Sequence, residues 1–190
     1  MKNKENKRKI IEATITCIEK FGIDNLTIRN IAKESGITLS SIHYYFESKE
    51  ELVQTSLITA MTHSFEDMED IWKMEKHDFA KALFDIFEYL FEGAIKFPGI
   101  TRACLYPVVM LGENTGFYIE RLNLFLEQVS SEIAKKNGKD LEAIKILLIQ
   151  GFSIIFFLGV SPDSYINFSG LSFHDQSSRE KVIENLLSKL

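Results

Sequence analysis

Residues 26–52, LTIRNIAKESGITLSSIHYYFESKEEL, constrain the fold of this chain more than any other stretch. They read as two short helices joined by a tight turn, followed at once by a capped third helix. Ala32, Gly36 and Ile42 stand at the spacing a helix-turn-helix requires. A small residue at 32 lets the first helix approach the second closely. Gly36 supplies the positive φ of the turn at low steric cost. Ile42, ten residues after Ala32, falls on the buried side of the second helix. A second helix held in this way keeps one face free, and the common use of that face is the major groove of DNA.

The polar residues between these helices agree. Thr27 and Thr38 stand where each helix opens, so each hydroxyl can accept from an orphan N–H. Ser48 and Glu51 form an S-x-x-E capping box that starts a helix at Lys49. Three helix N-termini lie close together in sequence, each with a positive dipole end suited to a phosphate. Caps alone fit any all-α core. Joined to the Ala-Gly-Ile spacing and to the aromatic run Tyr44, Tyr45 and Phe46, they point to DNA.

The motifs also resemble a known family. Thr27-x-Arg29-x-Ile31-Ala32, Ser35-Gly36-Ile37-Thr38 and Ile42-x-Tyr44-Tyr45-Phe46-x-Ser48-Lys49-Glu50-x-Leu52 are similar to the N-terminal DNA-binding domain of the TetR family of bacterial transcriptional regulators. The match covers about residues 8–53; beyond it only length and helical character agree. The resemblance implies an all-α chain of about nine helices. A three-helix helix-turn-helix domain over 1–48 would be followed by a helical effector-binding and dimerisation domain over 49–190. It also implies phosphate contacts from Thr27, Thr38, His43, Tyr44 and Lys49, base edges facing Leu39, Ser40 and Ser41, and Arg29 on a phosphate or bracing the domain. His43 stands where the family usually has Tyr, and Leu39 and Ser40 where Lys or Gly is frequent. Leu39 cannot hydrogen-bond a base, though its side chain could touch a thymine methyl. The operator sequence therefore cannot be borrowed from a relative.

The charge distribution fits once it is divided. The net charge of −5 comprises +2 over residues 1–50, where nine Lys and Arg oppose seven Asp and Glu, and −7 over the remainder. Lys2, Lys4, Lys7, Arg8 and Lys9 face only Glu5 at the front, a basic arm read as a solvated tail drawn to phosphates, with a base-reading arm as the alternative. Cys17 and Cys104 are too few for a disulfide framework or a zinc site, and the four histidines show no metal-ligand spacing. No catalytic triad, phosphate loop or paired carboxylates stand out. An enzyme, a cofactor and a bound metal are thus not expected. The N-terminus is basic without an apolar h-region, which places the chain in the cytoplasm.

Helical periodicity continues to the end. Helices are expected over about 4–21, 49–72, 78–96, 100–111 (broken or bent near Pro107), 115–136 and 141–159. A polar loop with Pro162 and Gly170 leads to a last helix started by the Ser177-x-x-Glu180 capping box. The stretch 144–160, IKILLIQGFSIIFFLGV, is apolar on nearly every face and must be covered all round. It is short for a bilayer and holds Lys145, Gln150 and Ser153. Covering by the core on one side and by a second copy of the chain on the other is the preferred reading, with a well-buried core helix as the alternative.

Residues 79–160 carry ten of the fifteen phenylalanines. Such an interior fits either a plain core or an apolar cavity. For the cavity, Phe87, Phe91, Tyr106, Met110, Phe117, Tyr118, Phe152 and Phe156 are the expected ligand residues, and a hydrophobic small-molecule effector is the expected ligand. Two functions follow. One is a homodimeric repressor released from a palindromic operator by that effector. The other is a DNA-bound interaction protein of the same fold whose partner is another protein.

Overall fold

A computed structural model describes residues 2–75, 77–188 and 190, with the side chain of Lys2 undescribed. Among the described residues there are ten helices and no strand. The fold is all-α, as expected. In order they are α1 (Lys2–Phe21), α2 (Ile28–Ser35), α3 (Leu39–Tyr45), α4 (Lys49–Met74), α5 (Phe79–Lys96), α6 (Pro98–Leu111), α7 (Phe117–Asn137), α8 (Leu141–Val160), α9 (Ile166–Ser169) and α10 (Gln176–Leu187). Packing divides them into two compact units. The first holds residues 1–64 and 99–114, the second 65–98 and 115–190. The sequence boundary at 48/49 follows the motif. The packing boundary instead falls inside α4 and draws α6 into the first unit.

In the first unit, local chemistry ends each helix where the next must turn. Gly22, at φ 72°, closes α1, its N–H donating to Ile18 O at 2.9 Å. Thr27 caps α2 through the Asn30 N–H, and Gly36 at φ 67° ends it. The short turn delivers α3 against a core of Ile10, Cys17, Ile18, Leu26, Ile31, Ile42, Phe46 and Leu52. Burial, and behind it the Glu34 carboxylate, pushes the Cys17 thiol up, so it serves as a small apolar residue. Ala103 of α6 is buried in the same core, with Ile100 packed on it. The Glu19 carboxylate of α1 secures that contact: Oε1 accepts from Gly99 N at 3.1 Å and Oε2 from Ile100 N at 2.9 Å. It thus satisfies two orphan donors at the start of α6. A Cβ on Gly99 would lie 2.8 Å from Glu19 Cα, so the approach requires glycine.

The second unit is built on long stripes. α5 buries Phe79, Ala82, Leu83, Ile86, Phe87, Leu90, Phe91 and Ala94. α8 answers with Ile144, Leu147, Leu148, Gly151, Phe152, Ile155, Leu158 and Gly159. The two helices close on glycines. A Cβ on Gly151 would stand 2.5 Å from the Phe87 ring, and one on Gly159 2.4 Å from Ala94 Cβ. Trp72 stacks on Phe79 with ring centroids 5.2 Å apart, and its indole N–H donates to Glu132 at 2.8 Å. The buried Arg179 guanidinium grips Glu88 Oε1 at 2.6 and 2.9 Å. It also donates to the carbonyls of Phe173 and His174, tying that loop to α5.

Four expectations need correction. The polar loop after α8 contains the four-residue α9, which raises the helix count from nine to ten. The Ser177–Glu180 box does not form: α10 starts at Gln176 behind Asp175, and Gln176 Nε2 donates to Glu180 instead. α6 is unbroken at Pro107, which lies inside one helical element, so the expected break, though not the expected bend, is overturned. The basic front is helical from Lys2 onward, with Lys9–Glu5 at 3.1 Å and Arg8–Glu12 at 3.0 Å, both (i, i+4) pairs. Such pairs favour helix over tail.

Candidate nucleic-acid interface

The outward side of α3 is the chemistry-bearing surface of the first unit. Ile42 and Phe46 are buried, which turns Leu39, Ser40, His43 and Tyr44 to solvent. Tyr44 is 76% exposed, and its ring meets Tyr45 edge-to-face at 5.2 Å. Tyr45 is only half-buried, so it braces its neighbour from the core side. Lys7 on α1 places its ammonium 5.2 Å from the centre of the Phe46 ring. That contact fixes a cation beside the end of α3.

Hydroxyls crowd the start of α3. Thr38 Oγ1 accepts from Ser41 N at 3.3 Å and donates to Ser41 Oγ at 2.9 Å. It also lies 3.2 Å from Ser40 Oγ. At the start of α4, Ser48 Oγ accepts from Glu51 N at 3.0 Å. The returning Glu51 carboxylate reaches Glu47 N at 2.7 Å, one residue short of the Ser48 N–H that a standard box would bind. Lys49 is half-buried and donates to Leu26 O at 3.2 Å. That bond engages one of three ammonium protons and leaves two for an anion. A capped short helix with hydroxyls at its positive end and a tethered lysine beside it presents donors of the kind that can hold an anion.

The sequence model of the tetR family of bacterial regulatory proteins matches residues 10–55, the segment that forms this surface. Over this segment the chain is similar to the TetR family. The family that this model describes is one of bacterial regulatory proteins. Among curated proteins, the chain is 24% identical over 123 residues to the nucleoid occlusion factor SlmA of Mannheimia succiniciproducens, covering 62% of this chain. It spans about half the length (56%) of that relative. Two solved structures share the fold of the whole chain. A TetR family transcription regulator from Marinobacter aquaeolei superposes with TM-score 0.71 at 16% identity, over 100% of this chain and 98% of that one. The regulator FadR of Bacillus subtilis, in complex with stearoyl-CoA, superposes with TM-score 0.68 at 19% identity, over 96% and 98%.

All nine residues read as DNA-facing fall in the first unit. Thr27, Arg29, Thr38, Leu39, Ser40, His43 and Tyr44 are exposed, whereas Ser41 and Lys49 are half-buried. The eight residues read as ligand-facing are not all in one unit. Tyr106 and Met110 lie on α6 in the first, and both are exposed. In the second, Phe87, Phe152, Phe156 and Tyr118 form a continuous aromatic chain with centroids 5.4 to 6.2 Å apart. Phe91 is drawn away to stack on Phe173 at 5.6 Å, and Phe117 stands half-exposed at the start of α7. None of the eight lines the open groove of about 480 Å³ in the second unit, which is formed by Ser153, Ile154, Phe157, Leu158, Tyr165, Phe168, Ser169 and Phe173. That groove was missed because its far wall is α9, in the stretch read as loop. The apolar residues Tyr165, Ile166 and Phe168 were the available signal.

Proposed function

We propose that this chain is a cytoplasmic, homodimeric transcriptional repressor that binds a palindromic operator and is released by a hydrophobic small molecule. The observation that carries the reading is the outward face of α3 on a tightly buried three-helix core, beside the hydroxyl-rich start of the helix. Thr27, Thr38, His43, Tyr44 and Lys49 hold phosphates and thereby position α3 in the major groove, with Arg29 in support. Dimerisation is supported by α8, whose Ile146, Ile149, Ile154 and Phe157 are exposed opposite its buried stripe. That helix is long and apolar enough to cross a bilayer, but nearly half of its apolar window is buried inside its own unit. Two copies joined there present two α3 helices about 34–36 Å apart, or a multiple of that, to successive grooves.

The effector enters the aromatic chain of Phe87, Phe152, Phe156 and Tyr118, with Phe91, Phe117, Tyr106 and Met110 as the further candidates. Support for an apolar ligand comes from this aromatic interior and from the shared fold with a FadR that holds stearoyl-CoA. An effector releases DNA only if it binds the DNA-incompetent state more tightly than the competent one. A second reading, a DNA-bound platform for another protein, is favoured by the SlmA match and by the open groove beside α9.

Selection of a random duplex library with the full chain, followed by binding titrations at several salt concentrations, tests the DNA reading. Tyr44→Ala with Lys49→Ala should weaken all sequences alike and flatten the salt slope by about 1 per lost contact and subunit. Unchanged affinity and slope would overturn this surface. Phe157→Asp, placed on exposed α8, should yield folded monomers by sedimentation; a wild-type monomer at micromolar concentration would overturn the dimer. A long-chain acyl-CoA at 100 times its Kd should stabilise the protein by about 2.7 kcal/mol and release the selected duplex. Tight DNA binding with no such release, together with a retained protein partner, would favour the second reading.

A further inference from the structure

We propose that Leu39 selects thymine at one position of each half-site, its branched end resting on the thymine 5-methyl group. This rests on the DNA reading above and names what α3 reads. The residues of the helix and its end, LSSIHYYF over 39–46, include no Arg, Lys, Asn, Gln, Asp or Glu. The side chains that make bidentate contacts to guanine, adenine or cytosine edges are therefore absent from it. Ile42 and Phe46 are in the core, and Tyr45 is half-buried against it. His43 and Tyr44 sit toward the C-terminal end of α3. Recognition helices meet base edges with their N-terminal residues, which leaves Leu39, Ser40 and Ser41.

The hydroxyl network decides among these three. Thr38 gives its proton to Ser41 Oγ and accepts from Ser41 N. Its 3.2 Å contact with Ser40 Oγ then has Ser40 as the donor. Ser40 consequently offers the groove only acceptor lone pairs. Ser41 keeps a free proton but is half-buried. Leu39 opens the helix and remains 41% exposed. A lone exposed leucine needs no special explanation; one at the first position of a groove-entering helix, beside an acceptor-only serine, has a complement. In the major groove the T·A pair is the one that presents a methyl group and an amino donor together, the methyl on thymine and the N6 amine on adenine. Leu39 covers the first, and Ser40 Oγ accepts from the second.

The test uses the duplex selected by the full chain. Each thymine of the half-site is replaced in turn by deoxyuridine, which removes only the methyl group and leaves the protein unaltered. One symmetric position should weaken binding about four-fold per half-site, the value of one buried methyl group. Leu39→Ala should bind the thymine and deoxyuridine duplexes equally, while keeping the wild-type melting temperature and salt slope. A selected palindrome in which no deoxyuridine matters, or a Leu39→Ala protein that still distinguishes the two duplexes, overturns the assignment to Leu39 and leaves the repressor reading standing. Failure to enrich any sequence sinks both.

Discussion

The two units close their cores by different means. The first uses branched aliphatic residues on short helices, with Ile10, Ile18, Ile31 and Ile42 meeting at one centre, and ends each helix by a cap or a left-handed glycine. The second uses long helices and large rings. Phe87 meets Phe152, Phe91 meets Phe173, and α5 approaches α8 only because Gly151 and Gly159 leave room. In the first unit shape is set by where helices stop. In the second it is set by how side chains interlock across helices. Damage to the first should therefore act through caps and damage to the second through volume.

The largest effect should come from Phe87→Ala. The ring is fully buried and packs on Phe152, so its removal should cost about 3–5 kcal/mol, read by denaturant unfolding. Native-state hydrogen exchange should place the loss in α5 and α8, with α1 to α3 keeping their protection. An equal loss of protection in the first unit would show that the two cores unfold as one and would break the comparison.

Glu19→Ala is the converse. Its carboxylate accepts two N–H groups at the start of α6. Charge-assisted bonds of this kind are worth about 1.5–3 kcal/mol. The amides of Gly99 and Ile100 should lose protection first. If they exchange as slowly as in the wild type, α6 is held by Ala103 and Ile100 alone.

Glycine substitutions sharpen the contrast inside one unit. Gly151→Ala drives a methyl group into Phe87 and Leu186 and should cost about 1–3 kcal/mol. Gly93→Ala, on α5 outside its buried stripe and with nothing within 4 Å of the added carbon, should stabilise by about 0.5–1 kcal/mol through helix propensity. In a Phe87→Ala background the Gly151→Ala penalty should shrink, because the ring it strikes is gone. Additive costs in that double mutant would mean the clash is with Leu186.

The same division explains what is legible in the sequence. Thr27, Gly36, Thr38 and Ser48 act on neighbours two to four residues away, so their positions in the sequence declare their roles. The caps and the turn around α2 and α3 could be read for that reason. Lys49 shows the limit: its bond to Leu26 O spans 23 residues, and no local pattern announces it. Glu19 reaches across 80 and 81 residues to α6, and no local pattern announces that α6 packs with the first unit. In the second unit a phenylalanine at helical spacing reads the same whether it meets a ring, a glycine or solvent. Phe87 and Met110 were indistinguishable in sequence, yet one is fully buried and the other 66% exposed.

Thr38→Ala tests the capping side of the comparison with one of the smaller expected effects. The hydroxyl accepts from Ser41 N and orders the Ser40 and Ser41 hydroxyls around it. Loss of such a cap costs about 1 kcal/mol, and the change should appear in α2 and α3 and nowhere in α5 or α8. Thr38→Ser keeps both the acceptor and the donor, so it should restore most of that stability. The two variants also separate cap from relay. With alanine at 38, Ser40 regains a free proton and can donate to a base as well as accept from one, so a selected duplex should tolerate guanine or thymine opposite it, where the wild type prefers an amino donor. Serine at 38 should keep the wild-type preference. A Thr38→Ala protein that loses stability yet selects the same bases would leave the cap intact as an explanation and remove the hydroxyl relay from recognition.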